Sequence, residues 1–119
     1  MKGKRSHLHF LEDILTAMGK IQRYTDTLNR DTFETNELVV DGVVRNLEVI
    51  GEAARNIPES VRSRHPDVPW KKMIGLRNIV AHEYFGIDLG IVWEIATRNI
   101  EETKAAVESV LEQYRVETS

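Results

Sequence analysis

The chain has 119 residues, a formal net charge of −3, 41% hydrophobic and 29% charged residues, and no cysteine. These totals describe a single domain over residues 1–119 with a core of its own, and they exclude disulfides, thiolate metal sites and a cysteine nucleophile. The negative balance argues against indiscriminate, charge-driven nucleic-acid binding, and no DNA specificity is expected. No apolar run approaches the roughly 18 residues of a membrane span, and the basic start from Met1 to His9 lacks the apolar segment of a signal peptide. A soluble, cytoplasmic chain without a membrane partner is expected, with a few flexible residues at each end.

In chain order, Leu8, Leu11, Ile14, Leu15, Met18, Ile21 and Leu28 recur at three- and four-residue steps, which predicts an amphipathic helix over about residues 6–29 with Ser6 as its N-cap. Asn29-Arg30-Asp31-Thr32 is a polar break. His7 and His9, two apart, point to different sides of a helix and make a poor metal pair, so both are expected on the surface.

A second helix is predicted from Phe33 to Asn56, ending before Pro58. Val43, Leu47, Ile50, Ala54 and Ile57 form its apolar stripe. Asp41, Arg45, Glu48, Glu52 and Arg55 form a second stripe of mixed charge, for which a solvated face with weak ion pairs is the plain account. The sharper account has Arg45, Glu48 and Glu52 lining a cleft edge or an interface. Gly51 in mid-helix costs about 1 kcal/mol relative to alanine, so close helix packing is expected there.

Pro58 opens a short helix to about Arg64. His65-Pro66-Asp67-Val68-Pro69 is a rigid connector, and Pro69 suits the first turn of a helix over about Trp70–Phe85 that Gly86 terminates. Asp88 caps a last helix reaching about Tyr114, with Ile91, Ile95, Ile100, Val107, Val110, Leu111 and Tyr114 toward the core. With no strand-period run, the fold class is all-α, an antiparallel bundle of four main helices plus a short one.

Charge is unevenly placed: residues 55–77 hold six basic side chains against two acids, and residues from Glu94 onward hold six acids against three bases. The basic stretch leads into Arg77-Asn78-Ile79-Val80-Ala81-His82-Glu83-Tyr84-Phe85. Arginine offers a permanent cation whose planar fork matches phosphate oxygens. Histidine exchanges protons near neutral pH, and tyrosine adds a hydroxyl and a stacking face. This set suits phosphodiester chemistry without a metal.

On a regular helix the five steps from Arg77 to His82 advance about 500°, leaving the two about 140° apart around the axis, whereas Arg77 and Tyr84 share nearly one face. Three arrangements bring the arginine and histidine together: a wrapping arginine, a distorted helix end near Gly86, or a second copy across a two-fold axis. The last favours a homodimer. By residue type alone a structural account stands beside these, with His82 a hydrogen-bonded buried histidine, Arg77 an ion-pair partner and Tyr84 a core aromatic.

Arg45-Asn-Leu-Glu48-Val-Ile-Gly51-Glu52-Ala-Ala, Ile57-Pro58-Glu59, Val68-Pro69-Trp70, Arg77 through Asp88 and Val92-Trp93 together resemble the HepT-like family of the HEPN superfamily, over about residues 8–113. The resemblance implies a dimeric all-α bundle that is the toxin of a type VII toxin–antitoxin pair. It also implies metal-independent RNA cleavage by an Arg-x4-His motif, here Arg77 and His82, with Asn78 as the adjacent polar residue. In the same terms the partner is an MNT-type nucleotidyltransferase antitoxin that silences the toxin by AMPylating Tyr84. RNA is the expected substrate, and no cofactor or metal is expected. Ile100-Glu101 stands where many relatives carry leucine-proline, a departure that touches the shape of the last helix. Two other classes remain: a non-catalytic helical module that binds and regulates a nucleotidyltransferase, and an enzyme that binds or modifies nucleotides in a bundle cleft.

Overall fold

The structure is a computed structural model that describes the backbone of residues 2–81 and 88–118 and the side chains of residues 7–80 and 88–116. All regular elements in it are helical. They run α1 (Lys2–Thr25), α2 (Arg30–Glu34), α3 (Glu37–Arg55), α4 (Glu59–Arg62), α5 (Trp70–Ala81), α6 (Leu89–Glu94), a π-helical segment (Ile95–Asn99) and α7 (Ile100–Thr118). Helix α1 packs against α3 and α7, and α3 packs against α5. This is the expected all-α bundle, and none of the described helices is long and apolar enough to cross a membrane.

The apolar stripes build the core. Leu11, Ile14, Met18 and Ile21 of α1 are buried with Val43, Leu47, Ile50 and Ala54 of α3 and with Ile57 beyond it. Met73, Leu76 and Val80 of α5 and Val107, Val110, Leu111 and Tyr114 of α7 complete the interior. Full burial of a side chain of this size removes it from water at a gain of about 1.5–3 kcal/mol, so the three- and four-residue spacing of these positions drives the assembly.

Three boundaries differ from the sequence expectation, each for a local reason. Helix α1 begins at Lys2, so Ser6 stands inside it and is no N-cap; lysine and arginine here are good helix formers and nothing stops the helix sooner. It ends at Thr25, where the hydroxyl donates back to the Ile21 carbonyl. The helix expected from Phe33 is two helices. Asn29 caps α2 through a reciprocal box with Thr32, so part of the expected polar break is helical. Asn36 then caps α3, its side chain accepting from the Val39 amide at 3.1 Å. Each asparagine supplies a partner for an otherwise orphaned donor, and two short-range caps win over one long helix. Phe33 anchors α2 by packing on Trp93 with ring centroids 5.2 Å apart.

The last helix is capped by Asp88 as expected, through bonds to Gly90 and Ile91 amides. Its core face starts one residue later than expected. Val92 is fully buried, whereas Ile91 is 51% exposed. Downstream, the Ile100 amide donates to the Ile95 carbonyl five residues back, and the Thr97 hydroxyl takes the Trp93 carbonyl at 2.8 Å. This wide turn shifts the helical phase before α7. Of the two early histidines, His9 is exposed, while His7 is half-buried with its ring edge-on to Tyr114. The end of α5 at Phe85 and the terminator Gly86 lie outside the described residues.

Val92→Ala is expected to lower stability by about 2 kcal/mol, and Ile91→Ala by no more than about 0.5 kcal/mol. Urea unfolding midpoints measure both, and equal losses would contradict the observed phase.

Candidate active site

Helix α5 crosses α3 at Gly51. A Cβ there would sit 2.9 Å from Arg77 Cγ, 3.2 Å from the Met73 carbonyl oxygen and 3.3 Å from the Arg77 amide nitrogen. The last two neighbours are backbone and have little room to give, so the missing side chain is what lets the helices approach. The close packing expected at Gly51 is therefore present, and its partner is the motif helix.

Beside this crossing lies a shallow cleft of about 310 Å³. Helix α1 contributes Phe10 and Asp13 to it, α3 contributes Arg45, Glu48 and Glu52, its C-cap Asn56 follows, and α5 contributes Arg77. Arg77 Nη1 pairs with the Glu52 carboxylate at 2.9 Å from Oε2, and both side chains are about half exposed, 48% and 55%. An exposed pair of this kind contributes at most about 1 kcal/mol to stability, so its chief consequence is to fix where the guanidinium lies. The ion-pair account of Arg77 thus holds as far as it goes, and the arginine is also at a cleft.

Arg45, Glu48 and Glu52 of the charged stripe line one wall of this cleft. Asn78 follows Arg77 on α5 and is exposed. His82 and Tyr84 lie outside the described residues. Phe10 and Asp13 were missed from sequence because only the packing of α1 on α3 brings them to Arg77, and Asn56 was missed because it lies at the very end of α3 as its C-cap. The cleft carries two arginines against three carboxylates.

The other side of α5 borders a different groove. It is mainly apolar, formed by Met18, Ile50, Met73, Leu76 and Ile79 with Ile95, Asn99 and Ile100 of the wide turn. Leu76 and Ile79 stand about 100° and 200° around the axis from Arg77, so the two faces of α5 serve separate surfaces. Lys72 and Glu102 also line this groove, but the polar cleft, with five charged side chains, is the better candidate for chemistry.

A profile of the family described as Ribonuclease HepT-like matches residues 14–110, which include the Arg45–Glu52 wall and Arg77. The chain belongs to that family. It is 41% identical over 107 residues to a Methanocaldococcus jannaschii protein named as a candidate RNase, covering 90% of this chain and 98% of that one. A second protein of that organism, similarly named, is 39% identical over 108 residues, covering 91% and 93% of the two chains. A Thermococcus cleftensis protein named probable ribonuclease HepT is 36% identical over 107 residues, covering 90% and 97%. No solved structure matches the chain. The family match includes the α3 wall and Arg77 of the cleft but begins after Phe10 and Asp13.

Gly51→Ala sets a gain in helix propensity of about 1 kcal/mol against overpacking of about 1–3 kcal/mol. Backbone on the far side makes the second effect dominate, so a net loss is expected. A Cβ at Gly19 on α1 would meet nothing within 4 Å, so Gly19→Ala is expected to raise stability by up to about 1 kcal/mol. Denaturant midpoints of the two variants check the contrast, and a stabilised Gly51→Ala would contradict the close crossing.

Proposed function

We propose that the chain is a metal-independent endoribonuclease and the toxin of a type VII toxin–antitoxin pair, with Arg77, Asn78 and His82 as its catalytic residues. The observation that carries this reading is the ion-paired guanidinium of Arg77 at a polar cleft, in a HepT-like chain whose sequence continues through Asn78 to His82. RNA is the substrate, cut through its own 2′-hydroxyl. His82 takes the proton of that hydroxyl or supplies one to the leaving 5′-oxygen. The attacking oxygen bonds to the adjacent phosphorus and the P–O5′ bond breaks. Arg77 stabilises charge that builds on the non-bridging oxygens, and Asn78 orients the phosphate or the imidazole.

A homodimer fits this chemistry, because a two-fold axis brings a second motif helix opposite the first and overcomes the angular separation of Arg77 and His82. Silencing acts at Tyr84, seven residues after Arg77 in the sequence. AMP attached to its hydroxyl by an MNT-type nucleotidyltransferase adds bulk and negative charge beside Arg77, which blocks RNA by occupancy and by neutralising the cation.

A second reading has its own support. The cleft's excess of carboxylates over arginines suits a protein partner better than a polyanion, as expected of a non-catalytic module that binds and regulates a nucleotidyltransferase. RNA cleavage separates the two.

Arg77→Ala and His82→Ala are each expected to slow cleavage of a mixed-sequence RNA by about 100-fold or more, with melting temperatures near that of the parent. Wild-type rates in both variants would eliminate the catalytic assignment. Co-expression with the nucleotidyltransferase is expected to add mass in AMP units that Tyr84→Phe abolishes. Inactivation that persists in Tyr84→Phe would eliminate the silencing route.

A further inference from the structure

We infer that Glu52 is a positioning residue for Arg77, holding the guanidinium in the orientation it presents to the scissile phosphate. The inference rests on the catalytic reading of Arg77 above. Two consecutive residues of α3 grip this arginine at different points. Arg77 Cγ lies so close to Gly51 that an added Cβ would meet it at 2.9 Å, which seats the stem against the α3 backbone. Glu52 Oε2 then forms an ion pair with Nη1 at 2.9 Å, which draws the head toward α3.

A long, half-exposed arginine otherwise visits many rotamers, and few of them aim its fork into the cleft. Stem contact alone leaves the outer torsions free. A carboxylate bound at Nη1 removes that freedom and leaves other N–H donors of the same planar group to engage a phosphate. Glu48 lies one turn earlier on α3 and lines the same cleft, but the ion pair to Arg77 comes from Glu52. Because Glu52 acts through Arg77 and touches no reacting atom, its contribution belongs to the rate of the chemical step. Misplacement of a catalytic group by about 1 Å costs up to about 100-fold in rate.

The test compares the full-length parent with Glu52→Gln, Glu52→Asp and Arg77→Ala on a fluorophore-labelled mixed-sequence RNA, with melting temperatures recorded in parallel. Glu52→Gln is expected to lower kcat about tenfold with KM within about twofold and an unchanged melting temperature. Glu52→Asp, which keeps the charge on a shorter stem, is expected to recover part of the loss. Glu94→Gln, which breaks an exposed pair with Arg98 elsewhere on the surface, is expected to match the parent. A parental kcat in Glu52→Gln alongside an inactive Arg77→Ala overturns the positioning role alone. A raised kcat or a lowered KM in Glu52→Gln overturns it too, since Glu52 would then be a counter-ion competing with RNA. So does a kcat loss that tracks a fall in melting temperature. An Arg77→Ala protein with parental activity overturns the catalytic reading itself, and this inference with it.

Discussion

The close crossing of α3 and α5 at Gly51 is the constraint on which the site depends. Helix pairs with ordinary side chains at the contact keep their axes about 8–10 Å apart; at this crossing the absence of a Cβ lets the Met73 carbonyl and the Arg77 amide approach α3 directly. Moving α5 outward would widen the gap between Glu52 and Arg77 and open the cleft that both line. The packing of α1 on the other side of α3 then supplies Phe10 and Asp13. A single glycine therefore links core packing to the placement of the cation.

The electrostatics of the cleft are mixed. Overall charge is −3, and the cleft itself holds more carboxylates than arginines, so long-range attraction of a polyanion is weak. Under the proposed function, selectivity for RNA comes from directed contacts at a few points, Arg77 among them. Away from the cleft, Arg30 is held above its ordinary pKa by its hydrogen bond to Glu34 and by that carboxylate's charge, and it lies against Gly90 at the start of α6. Charge pairs on this surface tie neighbouring turns and helices together, and at Arg77 the same device reaches the site.

Much of the fold was legible because one period governs it. Residues such as Leu11, Ile14, Met18 and Val43, Leu47, Ile50 stand on single faces, and burial of those faces leaves few ways to assemble the bundle. The break between α2 and α3 was missed because it rests on two asparagine caps inside an otherwise helical pattern. Ile91 was placed on the wrong face because the wide turn at Ile95–Asn99 shifts the helical phase between it and the positions from Ile100 to Tyr114, which are buried as expected. At the site, the wall of Arg45, Glu48 and Glu52 was legible from spacing on one helix. Phe10 and Asp13 were not, since their place in the cleft comes from an inter-helix contact that no local pattern encodes.

The central claim is that this HepT-like chain cuts RNA through the 2′-hydroxyl with side-chain acid–base catalysis. The chemistry of the product ends, determined in the presence of excess EDTA on an RNA and on the same oligonucleotide with one 2′-deoxy substitution at the cut, tests it most directly. The account predicts 2′,3′-cyclic phosphate and 5′-hydroxyl ends from the RNA and no cleavage at the substituted position. Products with 5′-phosphate and 3′-hydroxyl ends, or cleavage at the 2′-deoxy position, would contradict it.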